Sequence, residues 1–290
     1  MMRFYSDAEM TDVAPELRPY KPRFEFWSDG ATKRRWIRLP ANESIDSSNM
    51  DDWDFPVGTE LWKEFSHEGV RVETRLLLRE SKAEDGWIAV SYVWNAEQTE
   101  ATVAPDGVEN ALGTPHDVPE ARACAACHAG RQSHVLGFSA IQLDHEPRSA
   151  RDLTLDRLAR EGLVSAAPPA RLVIPGNERE VAALGYLHTN CGNCHNANRP
   201  KGAKYLSPPE GLDLWLQAGA LAEVSLTPTY RTAIPAYVRA GRPERSSLFK
   251  HVASPDWPWQ EMPPFAVEFV DERGVDVLYD WIEGLEPAHH

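Results

Sequence analysis

The stretch Val70-Arg71-Val72-Glu73-Thr74-Arg75-Leu76-Leu77-Leu78-Arg79 sets Val70, Val72, Thr74, Leu76 and Leu78 against Arg71, Glu73, Arg75 and Arg79. Successive side chains of a strand point to opposite faces, so this alternation predicts a half-buried β-strand. A loop containing Glu84-Asp85-Gly86 follows it. Next comes Trp87 to Trp94, a run of aromatic and β-branched residues that predicts the hairpin partner. Lys33 to Leu39 and Glu60 to Phe65 read as further strands. Residues 20–107 are therefore expected to form an antiparallel β-domain of the sandwich type, with its tryptophans in the core, behind an N-terminal extension over residues 1–19.

Near residue 107 the pattern turns helical. Asp117 before Val118-Pro119-Glu120 resembles a helix start, with proline in the first turn, and that helix would run to Cys124. Residues 151–161 predict a second helix stopped by Gly162, and a third should run from about Arg179 to Cys191. A fourth, from Asp271 to Glu283, carries Val275, Leu278, Tyr279 and Ile282 on one stripe. The Pro-rich segments Ala166 to Ile174 and Pro255 to Pro264 read as connections. The expected class is α+β, with a mostly helical region after the β-domain, divided into residues 108–176 and 177–290.

Each of these two regions holds one pentapeptide, Cys124-Ala125-Ala126-Cys127-His128 and Cys191-Gly192-Asn193-Cys194-His195, and together they use all four cysteines of the chain. Cys-x-x-Cys-His is the attachment pattern of c-type haem. The two thiols form thioethers with the haem vinyls, and the histidine supplies the proximal nitrogen to iron. The competing reading is a four-cysteine zinc site built from two knuckles, but zinc needs no histidine directly after each second cysteine. With ten histidines in 290 residues, that double coincidence has a chance of roughly one in a thousand. The expectation is two covalent haem c groups, with His128 and His195 as proximal ligands. The region holding both is then expected to resemble cytochrome c, where a C-terminal helix crosses the helix preceding a haem motif.

The sixth ligands are harder to read. Met262, in Gln260-Glu261-Met262-Pro263-Pro264-Phe265, sits where prolines stiffen an extended loop and can present a thioether to the second iron. Between His128 and the second pentapeptide there is no methionine. The candidates for the first iron are His188, on a stripe with Val181 and Leu184, then His134, His145 and Met50, or an open position. Tyr230 and Arg231 are candidates for hydrogen bonding to haem propionates.

Formal net charge is −14 and no apolar run approaches a membrane span. The charge argues against nucleic acid as a partner and fits docking of a basic redox protein. Haem is attached covalently outside the cytoplasm, so the pentapeptides imply a periplasmic or otherwise exported protein. The opening Met1-Met2-Arg3-Phe4-Tyr5-Ser6-Asp7 has no apolar signal core, and the export signal is expected to have been removed or replaced. Trp27-Ser28-Asp29-Gly30 and the acidic cluster Asp51-Asp52-Trp53-Asp54 are the only features that favour a ligand-binding module. For the acidic cluster a solvated loop competes with a calcium site.

Several further motifs resemble an uncharacterised family of dihaem c-type cytochromes from Gram-negative bacteria. They are Phe26-Trp27-Ser28-Asp29-Gly30-Ala31 with Lys33-Arg34-Arg35-Trp36, Phe55-Pro56-Val57-Gly58-Thr59, Val72-Glu73-Thr74-Arg75-Leu76 and Tyr92-Val93-Trp94-Asn95. The likeness continues through His116-Asp117-Val118-Pro119, Leu136-Gly137-Phe138-Ser139 and Ala183-Leu184-Gly185-Tyr186-Leu187-His188. It ends with Thr227-Pro228-Thr229-Tyr230-Arg231-Thr232, Gly241-Arg242-Pro243-Glu244 and Met262-Pro263-Pro264. The resemblance implies export, two covalent haems, recurrence of His188 and the Met262 motif, and a parallel β-helix repeat protein as partner. It implies no substrate.

Two functions remain as expectations. The first is a single-electron carrier with six-coordinate irons, one of them a high-potential His/Met site. The second is a dihaem peroxidase-like enzyme, with one open or labile iron and a polar distal pocket.

Overall fold

Strands β1 (Arg18–Tyr20), β2 (Thr32–Arg38), β3 (Glu60–His67), β4 (Val70–Arg79), β5 (Trp87–Trp94) and β6 (Ala101–Val103) form one antiparallel sheet whose spatial order is the chain order. The computed structural model describes residues 4–7, 10–83, 86–168, 170–198, 209–234, 236–254, 262 and 268–286. Residues 84 and 85 of the β4–β5 loop, and all of 255–264 except Met262, lie outside the described residues.

The expected sandwich is replaced by a single sheet with unlike covers on its two faces. On one face Trp36, Trp62 and Trp94 pack with Phe4, Tyr5 and Leu17, so the N-terminal extension does the work of a second sheet. Phe4 meets Trp36 edge-on at 5.0 Å, and the Tyr5 hydroxyl donates to Glu64 at 2.7 Å. On the other face Ile37 and Leu61 pack with Phe138, Leu143, Leu153 and Leu158. Residues 20–107 and 108–176 therefore share one core.

A bulge decides what β4 presents. Phe65 pairs with Glu73 but Ser66 pairs with Arg71, which leaves Val72 as an extra residue. A bulge reverses the facing of the residues before it. Arg71 accordingly turns to the N-terminal segment, donating to Tyr5 Oη at 3.0 Å and lying 3.6 Å from the Trp94 ring centroid. Glu73 and Arg75 turn to the opposite face, where Glu73 is fully buried. The alternation is real, but its charged side faces protein.

The helices are α1 (Cys124–His128), α2 (Ala140–Leu143), α3 (Leu155–Arg160), α4 (Glu178–Asn190), α5 (Pro228–Ala233), α6 (Ser247–Ala253) and α7 (Glu272–Glu283). Only α4, with 13 residues, and α7, with 12, exceed two turns. Among the described residues the C-terminal half is thus a mixture of short helices and irregular chain, not mostly helical. Asp117 starts no helix. Its carboxylate accepts from the Asn110 N–H at 2.8 Å and closes a loop beside the Val108–Val118 bridge.

Helix α3 begins at Thr154, whose hydroxyl accepts from Arg157 N–H, and ends before Gly162 with φ of 68°. A capping box from Asn177 and Glu180 opens α4. Asp271 caps α7 through Gly274 N–H at 3.0 Å. Helices α4 and α7 cross where Gly274 meets Tyr186, and Ala183, Leu187, Leu278, Trp281 and Ile282 form the core between them. The buried stripe of α7 runs through Gly274, Leu278, Trp281 and Ile282, with Val275 and Tyr279 only half-buried. Among the described residues no helix is long and apolar enough to cross a membrane.

Candidate functional site

The first pentapeptide is helix α1 itself, entered through a 3-10 turn at Ala121–Ala123. The second starts where α4 stops. Cys191 N–H donates to Leu187 O at 3.0 Å, and Cys194 and His195 N–H both turn back to Cys191 O. Gly192 is needed there, because a Cβ would lie 2.7 Å from His188 O. The thiols of Cys127 and Cys194 lie close enough to act on each other, which sets the two motifs side by side although they are far apart in sequence. None of the four cysteines is in a disulfide. Among the described residues no group of three or more His, Cys, Asp or Glu side chains is arranged around a metal position.

His128 is set up as a neutral imidazole. Its Nδ1–H donates to His134 O at 2.5 Å, which leaves the Nε2 lone pair free. Burial pushes its pKa down to about 3, against the carbonyl, which acts to raise it. His134 contributes this carbonyl from a backbone with φ of 55°. His195 is likewise neutral and half-buried, its pKa depressed to about 4 by desolvation and then by His251. Its Nδ1 has no hydrogen-bond partner. Met262 N–H donates to His251 O at 3.3 Å. Met262 is thus tied to His251, whose ring acts on His195, and His251 is a neighbour that sequence reading missed.

Three of the other candidates are engaged elsewhere. Both ring nitrogens of His145 face carbonyls, Glu146 O at 2.8 Å and Lys21 O at 2.7 Å. Met50 packs into the core with Trp53 and Phe55. His188 is 1% exposed, and its Nδ1 accepts from Leu216 N–H at 3.0 Å. Its proton therefore sits on Nε2, which in this arrangement offers a donor and no lone pair. Burial, then Arg131, push the His188 pKa down to about 3. The ring lies 4.1 Å from Trp215, over which Arg131 stacks at 4.0 Å. His188 Nε2, Trp215 Nε1 and Arg131 Nε are all buried without a partner.

Tyr230 donates to Glu180 at 2.6 Å and accepts from Trp281 Nε1 at 3.2 Å, so its hydroxyl ties α4 to α7. Arg231 is exposed. The cations close to the first pentapeptide come instead from the sheet. Arg35, Lys63 and Arg75 are cross-strand partners in one row over β2, β3 and β4. Arg75 acts on Cys124 and Cys127, and Lys63 on Cys127 and His128. Sequence reading missed this row because it treated the charged side of β4 as solvent-facing.

The acidic cluster is a clasp. Asp52 accepts from Gln132 and Ser133 N–H at 2.9 Å each and pairs with Arg131, while Asp51 accepts from Ala218 N–H at 2.7 Å. Asp29 likewise accepts from Glu268 N–H at 2.7 Å and Phe269 N–H at 3.0 Å, and Trp27 Nε1 donates to Phe269 O. Both motifs bind other parts of the same chain. No family model, curated protein or solved structure matches the chain.

Proposed function

We propose that the protein is an exported dihaem c-type cytochrome that passes single electrons between redox partners. The observation that carries the reading is His128. It follows a Cys-x-x-Cys pair, is half-buried and kept neutral by desolvation, and its Nδ1–H is held by a backbone carbonyl, which puts the lone pair on Nε2. That is the arrangement a proximal ligand requires. The fit extends to orphaned buried donors around both motifs, at Arg35, His188, Trp215 and Arg131, which an anionic group would satisfy.

On this reading Cys124 and Cys127 hold one haem, Cys191 and Cys194 the other, and His128 and His195 ligate iron. Met262 is the sixth ligand of the second iron, and the bound haems supply one-electron redox chemistry at potentials set by axial ligation and burial. The Cys127–Cys194 contact supports close approach of the two groups, which favours electron tunnelling between them. The net charge of −14 suits a basic redox partner. A parallel β-helix repeat protein is the partner that the family resemblance adds.

A second reading has its own support. His145 and His188 do not offer lone pairs, and Met50 is core. That leaves His134 or an open position for the first iron, and an open position is what a dihaem peroxidase needs. Carbon monoxide added to the dithionite-reduced, fully haem-loaded protein separates the two. An unshifted Soret band supports the carrier. A shift in about half the haem supports the enzyme.

A further inference from the structure

The sheet face beneath the first pentapeptide has a charge problem that its own residues do not solve. Arg35 pairs across strands with Lys63, and Lys63 with Arg75, although like charges directly opposite each other destabilise a sheet. Lys33 stands two residues before Arg35 on the same face. Arg75 is balanced by Glu73, at 2.8 and 2.7 Å, and Lys33 Nζ donates to the Phe26 and Ala31 carbonyls at 2.8 and 3.0 Å. Arg35 is 2% exposed, and none of its three guanidinium nitrogens has a hydrogen-bond partner. A buried guanidinium in that condition is strongly destabilising unless an anion meets it.

The other groups facing Arg35 do not remove the deficit. Tyr20 is its partner on β1. Glu25, before β2, is half-exposed and pairs with Lys21 at 2.5 Å and Arg148 at 3.7 Å. Glu73 is taken by Arg75 and by His116 Nε2 at 2.9 Å. Lys63 Nζ lies between the rings of Phe26 and Phe65, at 5.8 and 5.7 Å. Burial and the neighbouring Arg35, Arg75 and Lys33 push its pKa well below the usual lysine range, so an anion there would restore its charge.

We infer that Arg35 and Lys63 form a carboxylate cradle for the propionates of the haem held by Cys124 and Cys127. The inference rests on the haem reading above. In haem the propionates leave the ring on the side opposite the vinyls. The row begins with Arg75 beside the cysteines and reaches Arg35 two strands away, about 9–10 Å at the usual strand spacing. Thioethers at one end and cations at the other match the two edges of one macrocycle. The β-region thereby becomes part of the haem site, and its polar face sets the potential of the first haem.

The test is redox titration of holoprotein over about pH 5 to 9, comparing wild type, Arg35→Met, Arg35→Lys and Lys63→Met, with haem per chain counted as the pyridine haemochrome. In Arg35→Met one of the two midpoints should fall, because an uncompensated propionate favours ferric iron. The same midpoint should become pH-dependent near neutrality, since the propionate now takes up a proton on reduction. Arg35→Lys should restore most of the wild-type value, and Lys63→Met should shift the same haem by less.

Two haems per chain with unchanged midpoints and profiles in Arg35→Met would overturn the cradle and leave the haem reading standing. Wild type without haem would overturn both. A wild-type midpoint that moves with added inorganic phosphate, and stops moving in Arg35→Met, would assign the cradle to a soluble anion and overturn the propionate assignment. If Arg35→Met does not accumulate, redox-difference infrared spectra of wild type and Arg35→Lys decide. Displaced propionate carboxylate bands support the cradle, and identical bands reject it.

Discussion

The two pentapeptides have the same chemistry and opposite surroundings. The first is a five-residue helix set against the charged face of a sheet. Its histidine is oriented by a carbonyl six residues on, and its neighbours are the cations Lys63 and Arg75. The second closes a 13-residue helix packed on α7. Its histidine has an unpartnered Nδ1 and His251 and Met262 close by. Five residues are enough to specify attachment, so what distinguishes two copies of the motif must come from the chain around them. On the proposed reading one haem is tuned by buried charge and the other by axial sulfur.

The largest expected effects come from breaking the attachment sites one at a time. Cys124→Ala with Cys127→Ala should remove one haem of two, and Cys191→Ala with Cys194→Ala the other, read as haem per chain. Loss of both haems from either double variant would make the sites a single folding unit. Next in size is Met262→Ala. It should lower the potential of the second haem and abolish any sulfur-to-iron absorption at the red edge of the oxidised spectrum, leaving the first haem unchanged. If His251→Ala does this and Met262→Ala does not, the imidazole holds the sixth position.

The second site was the more legible of the two in sequence. The apolar period of α4 and α7 and the pentapeptide between them follow from local rules. The first site depends on long-range facts. A period-two pattern gives two faces to β4 but cannot say that α1 covers one of them, or that an extra residue at Val72 parts Arg71 from Glu73. Alternating strands rich in tryptophan predict a sandwich, and nothing local reveals that residues 4–17 cover one side of the sheet. His188 was read as a ligand from its stripe. Only the Leu216 N–H, 28 residues on, shows which ring nitrogen holds the proton.

A smaller effect, confined to the sheet, is expected from Glu73→Gln. Burial opposes ionisation of Glu73, but Arg75 and His116 outweigh it and hold the carboxyl at about 2 instead of 4.5. Since the folded pKa is depressed, the stabilisation is complete above about pH 4.5 and is lost as pH falls through about 2. The substitution should therefore cost about 3 kcal/mol near neutrality and progressively less in acid. Thermal or denaturant unfolding across that range measures it. A penalty that does not shrink on acidification would mean Glu73 works through shape alone.

The smallest effect belongs to the helical site and makes the contrast sharper. Gly274→Ala improves helix propensity by about 0.5–1 kcal/mol, yet its Cβ would lie 2.3 Å from Tyr186 ring atoms and hydroxyl. Tyr186 is packed against the core between α4 and α7, so the ring has little room to move, and overpacking of this kind costs about 1–3 kcal/mol. The balance is net destabilisation of about 1 kcal/mol, accompanied by a change at the second haem, because α4 delivers Cys191 directly from its last turn. Tyr186→Leu should relieve the clash, so the double variant is expected to be more stable than the additive sum. Strict additivity would mean that α4 and α7 are not held apart by this contact. A shift at the first haem instead of the second would show that the two sites are coupled through the Cys127–Cys194 contact more strongly than each is coupled to its own scaffold.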